Sequence, residues 1–196
     1  MTREELQELN YITMISNVPS IMSLGILSHK QAQKVPHISV AMEEIQVRRK
    51  DKVVPGGLPL HDYVNLYICA RNPMLFKLKD RHAELCVLRV STKVLDMEGV
   101  IVTDMNAASG YARFAPALHG LDIVDKELTF AQYWTHTDKI EEYHRKAAKC
   151  AEVLVPYCVS PSFIIGAYVS GVEGEAAFGT LGVNVLVTID PDLFFN

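Results

Sequence analysis

The sequence lacks the features of a membrane protein and of a strongly basic protein. Its longest apolar stretch, Val153 to Val169, is interrupted by Pro156 and Pro161 and is shorter than the roughly 20 residues of a spanning helix. There is no excess of positive charge, because 19 lysines and arginines stand against 23 acidic residues, for a net charge of -4. Bulk coating of nucleic acid or anionic membrane is therefore excluded, and a nucleic-acid contact has to be a local basic groove.

Cysteine is scarce and is not arranged in pairs along the chain. The four cysteines, Cys69, Cys86, Cys150 and Cys158, contain no Cys-x-x-Cys spacing and lie in strand-like or helix-like segments. This pattern is typical of buried free thiols in a reducing compartment and supports neither a disulfide framework nor a zinc site. The opening "MTREELQELN" mixes acids with bases and resembles neither a signal nor a transit peptide. We therefore expect a cytoplasmic protein.

Common catalytic and metal-binding motifs are also missing. The seven histidines show no spacing suited to a metal, so no metal is expected. There is no Gly-x-Ser-x-Gly nucleophile motif and no Gly-x-Gly-x-x-Gly phosphate-binding motif. These absences exclude the usual hydrolase and dinucleotide-binding patterns.

The segments that are present predict one α+β domain over residues 1–196. With 49% hydrophobic residues, a chain of 196 residues can bury a core of its own. Short β-branched or aromatic runs bounded by turn signals predict the strands: "NYITMI", "VNLYICA", "ELCVLRV", "GVIVTD", "AEVLV", "IIGAYV" and "NVLVTI". Strands and helices do not alternate regularly, which favours a mixed sheet over a doubly wound parallel one.

Three helices are indicated by their end signals. In "SNVPSIMSLGILSH", Asn17 suits the start of a short helix and Gly25 its end. "SVAMEEIQVRRKD" predicts a helix opened by Ser39 and closed by a basic cluster. "TDKIEEYHRKAAKCAE" is the clearest helix, and Thr137 is expected to cap it.

Two charged groups need an interpretation. Glu152, in "KCAEVLV", is the only charge at the start of an apolar run, and it is either the last solvated residue of a helix or a carboxylate mounted at a sheet edge. Arg48, Arg49, Lys50 and Lys52 form either a solvated basic helix end or part of a site. The residues alone do not choose Arg49 over Arg48.

Several blocks in order resemble the DarT family of DNA ADP-ribosyltransferase toxins. They are "YITMISNVPSIMSLGILSH", "IQVRRKDKVVPGGLPLHDYVNLYICARNPML", "VTDMNAASGYARF", "YW" and "KCAEVLV". The resemblance runs from about residue 10 to about residue 168. It implies an ADP-ribosyltransferase-like split mixed β-sheet with surrounding helices and a central cleft that binds NAD+. It also implies transfer of ADP-ribose from NAD+ to a base of single-stranded DNA, and an antitoxin, of macrodomain type or another ADP-ribosyl hydrolase, that reverses the modification.

The resemblance also implies roles for individual residues. Glu152 stands at the position of the family's catalytic glutamate, and a carboxylate there would stabilise the positive charge that develops on the ribose. Arg49 stands at the position of the arginine that activates the acceptor base. Residues implied at the NAD+ are Tyr11, Thr13, Tyr67, Arg71 and Met74. Many relatives have His where Tyr11 stands, and the family usually has Ser where Asn72 stands.

The acceptor side is implied by a second group of residues. Those expected to contact DNA are Arg48, Asn106, Arg113, Arg145 and Lys149, and the stretch from residue 133 to 149 is expected to read the substrate. Some relatives have a histidine at the position of Asn106, which suggests a different base preference, so thymidine and guanosine both stay open. Two alternatives also stay open: a relative that modifies RNA or protein or only hydrolyses NAD+, and a binding module of the same fold that transfers weakly or not at all.

Overall fold

A computed structural model describes residues 1–196 and contains ten strands and eight α-helices. The strands β1 to β10 are Leu9–Met14, Ile26–Leu27, Tyr63–Tyr67, Leu85–Val90, Ile101–Thr103, Phe114–Pro116, Glu152–Pro156, Cys158–Val159, Ile164–Val169 and Val187–Ile189. The helices α1 to α8 are Val18–Leu24, His29–Ala32, Glu43–Lys50, Pro73–Lys77, Ala117–Gly120, Lys126–Phe130, Lys139–Ala148 and Val172–Gly179. All seven predicted strands are present. None of the helices is both long and apolar enough to cross a membrane.

Eight of the strands form one mixed sheet, and the other two form a small antiparallel pair. The sheet order is β10-β9-β4-β1-β3-β7-β5-β6, and β2 pairs with β8. Only β9 and β10 are parallel, while every other pair is antiparallel. The predicted α+β class with a mixed sheet is therefore confirmed.

The sheet is nearly divided in two between β1 and β3. These strands share a single pair of residues, Asn10 opposite Tyr67, whereas β1 and β4 share six pairs and β3 and β7 share five. The buried Asn10 amide helps hold the junction by donating to the carbonyl oxygens of Tyr67 and Ile68 at 3.3 and 3.4 Å. Beyond this pair the two halves separate, which is the split arrangement expected from the resemblance.

The strand β7 lies in the middle of one half and is almost entirely buried. Val153, Leu154 and Val155 have no exposed surface, because β3 and β5 flank them on either side. A core cluster of 25 buried residues packs against one face of the sheet. Glu152 begins this strand, opposite Tyr67 on β3 and Thr103 on β5. A carboxylate at this position is held by two neighbouring strands.

Helix ends agree with the sequence at both ends of α1, where Asn17 precedes the helix, and at the basic end of α3, but two predicted helix starts differ. Gly25 ends α1 with φ +88°, and a Cβ at this position would lie 2.6 Å from the carbonyl oxygen of Val159. The helix α3 begins after Met42, so the predicted start at Ser39 is wrong. The helix α7 is capped by Asp138, not by Thr137 as predicted, because the Asp138 carboxylate accepts from two backbone N–H groups.

Asn72 is a buried cap whose removal gives a first testable prediction. Its side-chain oxygen accepts from the N–H groups of Met74 and Leu75 at 3.0 and 3.1 Å, and its amide donates to the Cys69 carbonyl at 2.9 Å. We expect Asn72→Ala to lower the free energy of unfolding by about 1–2 kcal/mol, and Asn72→Ser to lower it by much less because serine also caps helices. Urea unfolding of both variants measures this, and equal losses would contradict the capping role.

Candidate active site

A cleft opens where the two halves of the sheet separate. Its cavity has a volume of about 360 Å³. Its walls include β1, the segment from α2 to α3, β3 with the start of α4, residues 106–109, and α7. The predicted residues that line it are Tyr11, Thr13, Arg48, Arg49, Tyr67, Met74 and Asn106.

Glu152 lies beneath Arg49, which lines the cleft, and is fully buried, so its own side chain does not line the cavity. Both of its carboxylate oxygens accept from Nη1 of Arg49 at 3.1 Å, and Oε1 also accepts from the N–H of Ala107 at 3.3 Å. Its own backbone N–H donates to the Thr103 hydroxyl at 3.2 Å. The interpretation of Glu152 as a solvated helix end is therefore wrong, because the residue has no exposed surface.

Arg49 covers Glu152 on the side of the cleft. The arginine lines the cavity, comes from the last turn of α3 and is only 5% exposed. Its second terminal nitrogen, Nη2, is buried and has no hydrogen-bond partner in the protein. A buried guanidinium with unused donors is an anomaly unless a ligand meets it, because unpaired buried polar groups are costly. Arg48, by contrast, is exposed at the rim.

Two tyrosines of the cleft remain protonated over the physiological range. Burial and the neighbouring Glu152 charge raise the pKa of Tyr67 well above its usual value, and burial raises the pKa of Tyr11 to about 12. The Tyr67 hydroxyl donates to the Met74 sulfur at 2.8 Å. Both phenols are therefore neutral hydrogen-bonding groups that line the cleft.

The segment from residue 104 to 113 forms the wall next to Glu152. Asn106 and Ser109 line the cleft, and the Asn106 side chain accepts from the N–H of Ala108 at 2.9 Å. The ammonium of Lys52 donates to the carbonyl of Ser109, which ties the end of α3 to this segment. Burial and the charge of Arg49 lower the pKa of Lys52. The segment is thus fixed against the helix that carries Arg49.

One face of α7, with Cys150 just beyond its end, lines the cleft. Tyr143, Lys146, Ala147 and Cys150 line the cavity at the spacing i, i+3, i+4, i+7, which is one side of a helix. The Tyr143 side chain is 52% exposed, and Lys146 is also exposed. The sequence prediction placed the reading element in this stretch but named other residues.

Besides the buried Glu152, four predicted residues do not line the cleft. Arg71 donates to the carbonyls of Asp192 and Gln132. Arg113 pairs with Asp104 at 2.6 Å, and Arg145 pairs with Glu141 at 2.9 Å.

The fourth of these residues, Lys149, is buried. It is 2% exposed, and its ammonium contacts protein atoms only, so a phosphate cannot reach it. Lys149 is therefore corrected, because its ammonium is not accessible to DNA. Arg71, Arg113 and Arg145 lie outside the cleft lining, and their contacts with NAD+ or DNA stay predictions.

Several cleft residues were not identified from the sequence. They are Asn17, His29, His37, Gln46, Asn65, Lys77, Tyr143 and Lys146. Among these residues, only Tyr143 and Lys146 of α7 could have been found from the sequence, because an aromatic and a cation three residues apart lie on the same face of a helix. No group of three or more His, Cys, Asp or Glu side chains is placed to hold a metal ion.

The Arg49–Glu152 pair places a buried carboxylate directly beside a guanidinium. A fixed carboxylate stabilises positive charge that develops on a sugar, and a guanidinium with free donors stabilises negative charge on an acceptor. Removing either partner of such a buried pair costs about 3–5 kcal/mol of stability.

Comparison with known proteins gives consistent results over the whole chain. The family model described as ssDNA thymidine ADP-ribosyltransferase, DarT, matches residues 10–195. A DNA ADP-ribosyl transferase-DNA ADP-ribosyl glycohydrolase fusion protein of Thermosipho africanus is 32% identical over 197 residues, covering 96% of this chain and 50% of that protein. The chain thus spans about half the length of this relative.

Solved structures have the same fold. The structure of Thermus sp. 2.9 DarT in complex with ADP-ribosylated ssDNA superposes with a TM-score of 0.81 at 26% identity and covers 98% of each chain. A second structure of that protein, in complex with NAD+, gives a TM-score of 0.80 at 24% identity and covers 98% of this chain and 99% of the other. Because the family model matches nearly the whole sequence and the fold agrees, the chain belongs to the DarT family.

Proposed function

We propose that this chain transfers ADP-ribose from NAD+ to a base of single-stranded DNA, with thymidine as the first acceptor to test. The observation that carries the proposal is the buried Arg49–Glu152 pair at the floor of the cleft, with Nη2 of Arg49 unpartnered. The family description and the Thermus complex with ADP-ribosylated ssDNA support this choice of acceptor. The Thermus complex with NAD+ supports the choice of donor.

The first step breaks the bond between the nicotinamide nitrogen and C1′ of the ribose. Nicotinamide leaves with the bonding electrons, and positive charge develops on the sugar. Glu152 stabilises this charge electrostatically, provided that Arg49 shifts enough to expose the carboxylate to the ribose. We place Tyr11, Thr13, Tyr67 and Met74 around the nicotinamide and ribose, because all four line the cleft beside this pair.

The second step forms a bond between C1′ and a nitrogen of the acceptor base. A ring nitrogen that carries a proton is a poor nucleophile until the proton leaves or the charge is redistributed. The free donors of Arg49 favour negative charge on the neighbouring base oxygen and so make the nitrogen more reactive, and the proton on that nitrogen passes to solvent water as the C1′–N bond forms. Asn106 and Tyr143 line the same cleft and are suited to hydrogen bonding and stacking with the base.

The preference for single strands gives a second testable prediction. Taking a base out of a duplex costs a few kcal/mol, and a chain with net charge -4 has little positive surface to offset that cost. We expect transfer to one DNA sequence to be about 10- to 100-fold faster as a single strand than as a perfect duplex. The rate of label transfer from NAD+ is measured with the single strand, with the duplex, with RNA of the same sequence and with protein alone. Equal rates on single strand and duplex, or faster transfer to RNA, would contradict single-stranded DNA as the acceptor.

The salt dependence of binding should be moderate. The cleft offers three cations at its rim, Arg48, Lys77 and Lys146, of which Lys77 and Lys146 also pair with glutamates. Contact with about three phosphates predicts a log-log slope of roughly 2 for affinity against salt, at about 0.7 per phosphate. Fluorescence anisotropy of a labelled oligonucleotide measures it. A slope near zero would mean that the rim does not contact the DNA backbone.

We further propose that residues 1–196 act as one transferase domain and that a hydrolase reverses the modification. The relative from Thermosipho africanus carries a transferase and a glycohydrolase in one polypeptide, which supports a toxin paired with a reversing antitoxin. The four free cysteines, three of them buried, suit the reducing cytoplasm, where such a toxin would meet its DNA.

A further inference from the structure

Four buried side-chain atoms have no hydrogen-bond partner in the protein, and all four come from the segments that form one wall of the cleft. They are Oγ of Ser28, Oε1 of Gln46, Nη2 of Arg49 and Nε2 of His61. Gln46 and Arg49 belong to α3, Ser28 directly precedes α2, and His61 lies in the short turn Leu60–Asp62. Buried polar atoms are paired in most cases, so a group of unpaired atoms in one wall needs a physical reason.

The segments that carry these atoms are packed together. The ring centroids of His29 and His61 are 4.2 Å apart, which joins α2 to the turn. The N–H of Leu60 donates to the carbonyl oxygen of Lys52 at 2.9 Å, which joins the turn to the chain just beyond α3. All three segments contribute to the lining of the same cavity, through His29, Gln46, Arg49 and Leu60.

Gln46 and Arg49 are neighbours on the surface of α3. They are three residues apart in the helix, and side chains at this spacing lie next to each other. A guanidinium nitrogen can only donate a hydrogen bond, and an amide oxygen can only accept one. The unpaired Nη2 and the unpaired Oε1 are therefore complementary. They stay unjoined while Nη1 of Arg49 holds the guanidinium on both oxygens of Glu152.

His61 supplies a second acceptor on the same side of α3. Burial and the charge of Arg49 lower the pKa of His61, and the backbone of Gln46 partly offsets this shift. These two influences show that the imidazole ring faces α3. The ring is neutral at neutral pH, and a neutral imidazole has one nitrogen that accepts. With the proton on Nδ1, the unpaired Nε2 is that acceptor.

Glu152 is covered by Arg49 in the free protein, and the proposed reaction requires this to change. The carboxylate has no exposed surface, so the ribose of NAD+ reaches it only after the guanidinium has moved. A buried charge that leaves its partner is strongly unfavourable unless new partners receive it. Arg49 therefore needs acceptors at the place to which it moves.

We propose that Gln46 and His61 are positioning residues, whose unpaired acceptors receive the Arg49 guanidinium when NAD+ is bound. Arg49 then leaves Glu152 and donates to Oε1 of Gln46 and Nε2 of His61, and the carboxylate is open to the ribose. A guanidinium has several N–H donors, so others remain for the acceptor base. The proposal rests on the proposed function, because it explains how Glu152 is uncovered, but the movement of Arg49 is observable without any transfer to DNA.

Crystal structures of the full chain, alone and with carba-NAD+, test the movement directly. Carba-NAD+ has a carbon in place of the ribose ring oxygen and resists cleavage of the nicotinamide bond, so the result does not depend on a DNA acceptor. We expect Arg49 on Glu152 in the free protein and on Gln46 and His61 in the complex. The proposal is overturned if Arg49 stays on both Glu152 oxygens in the complex, or leaves them while Gln46 and His61 stay unpaired.

Variants that remove one acceptor test the consequence for the reaction. Gln46→Met and His61→Phe keep roughly the shape of each side chain and should lower the rate of transfer at saturating NAD+ by about 10-fold. Neither should lower the melting temperature, because the atoms removed have no partner in the free protein. The controls Gln7→Met and His119→Phe change exposed residues and should alter neither quantity.

A conservative variant separates positioning from a structural role. His61→Gln keeps an acceptor near the place of Nε2 and should recover most of the transfer that His61→Phe loses. Unchanged transfer in folded Gln46→Met and His61→Phe, or loss of transfer only in step with loss of stability, would overturn the proposal. If the wild type transfers nothing to DNA and Arg49 still moves in the carba-NAD+ complex, the proposed function fails and the positioning role stands.

Discussion

Replacing Glu152 by glutamine is expected to reduce the rate of transfer by on the order of 100- to 1000-fold or more. Glutamine keeps the shape of the side chain and removes the negative charge that stabilises the ribosyl cation. Binding of NAD+ should persist, because the other cleft residues are unchanged. Single-turnover rates with NAD+ and a single-stranded oligonucleotide measure the effect, and calorimetry measures NAD+ binding.

The same change should also weaken the fold, which the measurement must separate from catalysis. Arg49 would keep its charge without an ionic partner in a buried site, and breaking a buried pair costs up to about 3–5 kcal/mol. Glu84→Gln is the control, because Glu84 is exposed and its pair with Arg81 contributes less than about 1 kcal/mol. A folded Glu152→Gln protein with near-normal transfer would remove Glu152 from the mechanism.

Arg49→Ala is expected to abolish DNA modification, whereas Arg48→Ala is expected only to weaken it. The two arginines are neighbours on α3, but Arg49 is buried on Glu152 and Arg48 lies exposed at the rim. Loss of a rim charge acts through DNA affinity and is screened by salt, so the Arg48→Ala defect should shrink as salt is raised. The Arg49→Ala defect should not depend on salt.

A conservative variant separates charge from geometry at Arg49. Arg49→Lys keeps one positive charge but loses the planar guanidinium, and with it the free donors of Nη2 beside the Nη1 that contacts both Glu152 oxygens. We expect this variant to fold better than Arg49→Ala and to stay at least about 100-fold below the wild type in transfer. Equal and salt-dependent defects for Arg48→Ala and Arg49→Ala would instead mean that both residues form only a basic patch.

Much of the sheet could be predicted because its strands are long enough to carry a pattern. Segments such as Leu85–Val90 and Ile164–Val169 are rich in β-branched and apolar residues, and the core selects such residues. Three strands were missed: Ile26–Leu27, Phe114–Pro116 and Cys158–Val159. Two or three residues hold no periodicity, and their pairing depends on partners far along the chain.

The centre of the site could be located only through the resemblance. Arg49 and Glu152 are 103 residues apart, and nothing in their local sequences indicates that they touch. Burial of Glu152 depends on β3 and β5 lying on either side of β7, which is a property of the sheet order and not of the residues near Glu152.

The prediction of which lysines and arginines lie at the rim of the cleft was the least accurate, for a physical reason. Arg145 and Lys149 were chosen by charge, but a helix presents only one face to a cleft. In α7 that face holds Tyr143 and Lys146, while Arg145 pairs with Glu141 and Lys149 is buried. The spacing of residues that share a helix face was present in the sequence and would have indicated Lys146 as the cation that lines the cleft.

The most direct test of the central claim is the stoichiometry of the reaction at the Arg49–Glu152 site. Nicotinamide release and modified single-stranded oligonucleotide are measured together, for the wild type and for Glu152→Gln. The account predicts one nicotinamide released for each ADP-ribosyl group found on a base, dependence of both on the oligonucleotide, and loss of both in the variant. Release of nicotinamide that does not depend on DNA, with no modified base, would contradict it.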